Sequence, residues 1–101
     1  MPAGIAGGEN AWVIGELHHP FQVCCSPYGY PPPSVEWYRS NKGNTLLHNN
    51  TEYEPRGNVL LIRNLTINNL GTYTCGANNG VGQPALWKVV VRAYVPEGLF
   101  T

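Results

Sequence analysis

The side chains able to do chemistry are few, and their spacing suits none of the usual reactions. His18, His19 and His48, with Cys24, are the nearest approach to a zinc set. Zinc needs three or four donors converging on one point, typically from C-x₂-C or H-x₃-H spacing, and neither occurs. Adjacent histidines on extended backbone also diverge to opposite faces. A Cys or Ser nucleophile would need a base and a group to orient it. The chain has no Asp, and Glu36 stands alone on the solvent side of a strand pattern, where it reads as a surface charge. Without Asp, calcium loops of the EF-hand kind also lack their closely spaced carboxylates. Gly76, Gly80 and Gly82 read as turn residues, because no helix follows whose N-terminus could hold a phosphate. Catalysis, metal and cofactor binding are therefore not expected. Two Asn-X-Thr acceptors remain, Asn49-Asn50-Thr51 and Asn64-Leu65-Thr66, usable for N-glycosylation if the chain enters the secretory pathway.

Six Lys and Arg balance six Glu in 101 residues, giving a formal net charge of zero. Nucleic acid and anionic membranes both require an excess of basic residues, so neither is an expected partner. The longest apolar runs are of the order of Val59-Leu60-Leu61-Ile62, far below the roughly 18 to 20 residues that span a bilayer. The length fits one domain with its own core. Met1 to Gly8 lacks the basic and apolar regions of a signal peptide and reads as the edge of a fragment.

The elements that must position these residues are strands. Alternation dominates, and helical spacing is nowhere sustained. Phe21, Val23 and Cys25 share one parity before the breaker-rich loop Ser26 to Pro33. Val35 and Trp37 alternate with Glu36 and Tyr38. Asn41-Lys42-Gly43-Asn44 reads as a turn. Leu60 and Ile62 alternate with Leu61 and Arg63, and Tyr73, Cys75 and Ala77 with Thr74 and Gly76. After the turn at Asn78 to Gly82, Trp87, Val89 and Val91 alternate with Lys88, Val90 and Arg92. Seven or more short strands of this kind predict an all-β, two-layer sandwich.

Three of these positions stand on the buried parity at telling intervals: Cys25, Trp37 twelve residues later, and Cys75 fifty residues after Cys25. With Val35-Glu36-Trp37-Tyr38-Arg39, Leu60-Leu61-Ile62-Arg63-Asn64-Leu65 and Leu70-Gly71-Thr72-Tyr73-Thr74-Cys75, the chain resembles an immunoglobulin domain of the intermediate (I-set) type from about Asn10 to Ala93. The resemblance implies an antiparallel two-sheet β-sandwich with Greek-key connections. It also implies a Cys25–Cys75 disulfide packed on Trp37, and a tyrosine corner at Tyr73. Two departures stand out. Asn69 occupies the place of a usual Asp, so no ion pair with Arg56 or another base can form there. The stretch before Cys25 is about three residues long for the family, with His18-His19-Pro20 as surplus and a bulge as the expected result. Residues 1–9 are then a flexible leading segment, 10–93 the domain and 94–101 a linker.

Parity with Phe21 and Val23 selects Cys25 for the bond and turns Cys24 outward beside Val59 and Leu61. Cys24 is either a thiol covered by a loop or neighbouring domain, or the centre of a dimer contact. Glu36, Tyr38, Thr74, Gly76, Asn78, Lys88 and Val90 form a second outward face, and Tyr28-Gly29-Tyr30 with Asn79 to Gly82 a third surface at one end. Pro31-Pro32-Pro33 reads as a structural connection rather than a ligand. The function implied is a non-enzymatic protein-contact module of a larger extracellular protein, in adhesion, reception or matrix. Its partners would be proteins, including a second copy, and neighbouring domains, without membrane insertion. The alternative is a spacer domain in an intracellular muscle or cytoskeletal chain, with its thiols reduced.

Overall fold

A computed structural model describes residues 1–7, 11–40 and 43–94. The elements in chain order are β1 (Gly4–Ala6), β2 (Ala11–Glu16), β3 (Phe21–Cys24), β4 (Ser26–Tyr28), β5 (Ser34–Ser40), β6 (Asn44–Leu46), β7 (Tyr53–Arg56) and β8 (Val59–Ile62). A 3₁₀ turn (Ile67–Asn69), β9 (Gly71–Asn78) and β10 (Ala85–Tyr94) follow. The larger sheet has the order β2-β10-β9-β5-β6 and the smaller β3-β8-β7, while β1 and β4 pair as a short ribbon. Only Cys25 separates β3 from β4, so the ribbon continues the smaller layer. The architecture is the expected all-β sandwich, with one addition. β2 joins β10 in parallel, Ala11 opposite Val89 and Glu16 opposite Tyr94, whereas every other pairing among the described residues is antiparallel.

Period-2 side chains become two facing inner surfaces. Register sets Trp37 and Trp87 on either side of Cys75, and Val23 opposite Leu60. Cys25 and Cys75 are bonded across the layers, with Cα atoms 6.6 Å apart. Val23, Trp37, Leu60, Ile62, Leu65, Val89 and Val91 are buried around the bond. Trp37 hides its ring yet satisfies its indole N–H, which donates to the Gly57 carbonyl at 3.0 Å.

Below this core lies a polar knot. The Tyr73 hydroxyl donates to the Asn69 carbonyl at 2.5 Å, which ties the 3₁₀ turn to β9. Arg39 continues the inward parity of Val35 and Trp37, and its guanidinium serves four acceptors. Nη1 donates to the Tyr73 and Tyr53 hydroxyls at 2.8 and 3.0 Å, and Nη2 to the Leu70 and Asn68 carbonyls at 2.7 and 3.2 Å. The cation also lies 4.9 Å from the Tyr73 ring centroid. Burial, reinforced by the neighbouring Tyr53 hydroxyl, pushes the Tyr73 phenol well above its ordinary range, against the opposing pull of Arg39.

Several expectations need correction. The arginine beside the Asn69 turn is Arg39, while Arg56 pairs with Glu54 on β7. Asn69 binds backbone, accepting from the Thr66 N–H at 2.8 Å and donating to the Asn64 carbonyl at 2.9 Å. The surplus His18-His19-Pro20 makes a turn instead of a bulge: His18 takes φ 69°, and its N–H donates to the Leu65 carbonyl at 2.7 Å. In the leading segment assigned to 1–9, Gly4–Ala6 is strand β1, which pairs with Ser26–Tyr28, the first residues of the expected loop. Tyr94 belongs to β10 rather than to a linker. Asn10, the Asn41-Lys42 half of the predicted turn and the remaining linker 95–101 lie outside the described residues.

Closing a fifty-residue loop stabilises the fold by about 4 kcal/mol on the chain-entropy account. Replacing both partners, Cys25→Ala with Cys75→Ala, should therefore lower the unfolding free energy by several kcal/mol, read from urea midpoints. Because the folded phenol of Tyr73 ionises at higher pH than the unfolded one, its contribution is complete below about pH 10 and lost as pH rises further. Urea midpoints measured upward from pH 9 should fall more steeply for the wild type than for Tyr73→Phe. The variant should itself be less stable at neutral pH by about 1 to 3 kcal/mol.

Candidate binding surface

The outer face of the larger sheet is laid out in rows by strand register. Leu86, Gly76 and Glu36 lie side by side across β10, β9 and β5, and Lys88, Thr74, Tyr38 and Leu46 form the next row. Gly76 matters through its missing side chain. A Cβ there would crowd Tyr38 Cε2 at 3.3 Å and touch Leu86 Cδ2 at an ordinary 3.5 Å, so glycine lets the Tyr38 ring settle close over β9. The result is a depression of about 340 Å³ lined by Glu36, Tyr38, Asn44, Gly76, Pro84 and Leu86, among others. One carboxylate, one aromatic ring and aliphatic walls suit a basic side chain, whose stem packs apolar surface while its cation meets the carboxylate or the ring.

Thr74 keeps its expected place on this face but is covered there. It is only 1% exposed, flanked by Tyr38 and Lys88, and its hydroxyl bonds that of Ser40 at 2.9 Å. Tyr38 is half-buried and Lys88 exposed. The face also extends further than the sequence reading allowed. Parallel pairing of β2 with β10 adds Trp12, 58% exposed, and Ile14, with the Arg92 guanidinium 5.8 Å from the Trp12 ring. Leu86 is 64% exposed. Among the described residues ten large apolar side chains are exposed, and five of them, Trp12, Ile14, Leu46, Leu86 and Tyr94, belong to this one face. The signal for Leu86 was its parity with Lys88. Trp12 and Ile14 carried the same alternation, but nothing in the sequence placed β2 beside β10.

The other expected surfaces are smaller. Cys24 is exposed, opposite Val59 on the outer face of the three-stranded sheet, and no described loop covers it. Val59 and Leu61 are each half-buried, and charged Glu54, Arg56 and Arg63 share the sheet. At one end of the sandwich Asn79 gathers the two expected loops, its Nδ2 donating to the Pro31 and Met1 carbonyls at 3.0 and 2.8 Å. Asn49 and Asn64 are both exposed. Among the described residues no three His, Cys or Glu side chains gather where a cation could sit.

A disulfide closing two sheets over a buried tryptophan, with a tyrosine hydroxyl tied back to upstream backbone, is the arrangement of one known family. The family model for the immunoglobulin domain matches residues 8–79. The chain belongs to the immunoglobulin family. That match does not separate the I-set from other types. Hemicentin-1 of Mus musculus is 34% identical over 96 residues, which are 93% of this chain and 2% of hemicentin-1. Papilin of Drosophila melanogaster is 32% identical over 96 residues, 95% of this chain and 3% of papilin. Lachesin of Schistocerca americana is 40% identical over 72 residues, 71% of this chain and 20% of lachesin. This immunoglobulin chain thus spans between 2% and 20% of the length of these curated relatives. Among solved structures, the four N-terminal Ig domains of Dscam1 isoform 4.44 superpose with a TM-score of 0.83 at 20% identity, over 95% of this chain and 26% of that one, a likeness of fold. The relatives are extracellular adhesion and matrix proteins, and a disulfide-closed immunoglobulin core belongs in an oxidising compartment. The domain is accordingly a module of an extracellular protein, and the intracellular spacer reading falls away.

With Cys24 open and the other two cysteines bonded, native protein should take up one alkyl group from iodoacetamide, located at Cys24 by peptide mass mapping, and Cys24→Ser should take up none.

Proposed function

We propose that this immunoglobulin domain, of the intermediate type, acts by protein–protein contact without catalysis, and that the outer face of its five-stranded sheet docks a second copy of the chain. The observation carrying this reading is that five of the ten exposed large apolar side chains among the described residues lie on that face, which also holds the depression lined by Glu36, Tyr38 and Leu86. Contiguous exposed apolar surface rimmed by charge marks contact sites rather than solvated sheet. Strand order favours self-pairing. A two-fold axis along β9 lays β10 of one copy over β5 of the other row on row, so that Lys88 comes over Tyr38 of the second copy twice over, with the carboxylate of Glu36 one row away, a distance the long lysine side chain can span. A formal net charge of zero adds no long-range repulsion. One of the similar structures is that of the Down Syndrome Cell Adhesion Molecule, and adhesion is a role that contact between copies serves. Its span of several Ig domains fits a parent chain in which further modules flank this one. The patch at Cys24, Val59 and Leu61 is less suited, because charged side chains crowd its sheet.

Charge reversal tests the pairing. Sedimentation velocity should show wild-type dimers, weakened in Glu36→Lys and in Lys88→Glu alone and regained when both changes are combined. A wild type that stays monomeric at about 1 mM, where even a contact of about −4 kcal/mol would be visible, would overturn the proposal.

A further inference from the structure

We infer that the chain carries two N-linked oligosaccharides, on Asn49 and Asn64, which emerge from one rim of the sandwich and leave the outer five-stranded face bare. The two acceptors are fifteen residues apart in sequence but neighbours in space. The Arg63 N–H donates to the Glu52 carbonyl at 2.9 Å, which lays the segment after Asn49 alongside the segment entering Asn64. Thr51 and Thr66, the hydroxyl residues of the two acceptor motifs, line a single depression of about 320 Å³ together with Glu52, Asn64, Asn68 and Asn69.

Each amide is presented for substitution. Asn49 Oδ1 accepts from Arg63 Nη2 at 2.7 Å, and the same guanidinium binds the Asn50 carbonyl at 2.9 Å and Glu54 at 3.0 Å. Those bonds hold the oxygen of the carboxamide and leave Nδ2, the atom that takes the sugar, without a partner among the described residues. The Asn64 side chain is exposed and takes no part in the Asn69 bond, which uses its backbone carbonyl. In the transfer, a lipid pyrophosphate-linked oligosaccharide supplies the sugar. The Nδ2–C1 bond forms, the C1–oxygen bond to pyrophosphate breaks, one amide proton is released, and no group is oxidised or reduced. An extracellular module passes through the compartment that holds this donor.

The placement has a consequence for exposure. Ile67, 75% exposed on the 3₁₀ turn, stands directly beside the Asn64 motif with no protein cover. Arg63, which holds Asn49, follows β8 directly, and its partner Glu54 lies on β7 of the smaller sheet. Glycans rooted there shield Ile67 and the β7–β8 surface and stay clear of Trp12, Tyr38 and Leu86. This holds whether or not two copies pair, so its test stands apart from sedimentation.

The full chain should be secreted from eukaryotic cells and its intact mass compared before and after enzymatic release of N-glycans, which leaves a mass mark at each modified Asn. Marks are expected at both Asn49 and Asn64, with one glycan lost in Asn64→Gln and one in Asn49→Gln. Thr51→Ala, which spares the Asn49–Arg63 bond, should lose the same glycan as Asn49→Gln. Hydroxyl-radical labelling of Ile67 should be lost in the glycosylated form and regained on release, with Trp12 and Leu86 unchanged. A secreted chain marked at one position or none overturns the inference, as does protection of Trp12 or Leu86.

Discussion

The covalent link between Cys25 and Cys75 is the constraint around which the domain is arranged, because it joins the two layers at the point where Trp37 fills the space between them. A bond of fixed reach demands that both cysteines face inward at the same height. Period-2 alternation then decides the facing of every other side chain on β3, β5 and β9. Val23 and Tyr73 are buried for that reason, and Glu36, Tyr38 and Gly76 are presented outward for the same reason. The proposed binding face is thus the reverse side of the core.

The lower end of the sandwich is held by a different physics. Arg39 is a cation in a half-buried setting with no carboxylate among its partners, solvated by two phenols and two peptide carbonyls. Its Nε is buried without a hydrogen-bond partner among the described residues. Neutral acceptors distribute the charge, and the aromatic face of Tyr73 contributes further. With Asn69 in place of an acid, the turn is tied by amide bonds that do not titrate in the acidic range. The knot depends on the Tyr73 hydroxyl keeping the proton that it donates to the Asn69 carbonyl.

Much of this was legible in the sequence. Alternation marked β3, β5, β8, β9 and β10, and the interval from Cys25 through Trp37 to Cys75 carried the family likeness. What escaped was non-local. Gly4–Ala6 has no pattern of its own and becomes a strand only because Ser26–Tyr28 offers it an edge. Arg39 looked like the polar end of a strand, since sequence does not reveal that two carbonyls and two hydroxyls converge on an inward arginine. Thr74 was placed on the outer face correctly by parity, yet its neighbours Tyr38 and Lys88 bury it. The reach of the binding face depended on β2 lying beside β10, a pairing between distant segments that periodicity does not encode.

The strand borders of the sandwich are as informative as its faces. β6, at one border of the larger sheet, is only three residues long, and β7, at a border of the smaller sheet, carries Pro55, which has no N–H to offer, between Glu54 and Arg56. Short length, proline and charge each discourage a foreign strand from extending a sheet. At these two borders a copy that approaches sideways finds little ladder to continue. Contact through a face closes after two partners, whereas contact through a border can propagate without limit. The same features that look like irregularities in the strand pattern therefore let such domains be crowded together at a cell surface or in a matrix and still remain discrete, instead of polymerising into fibres.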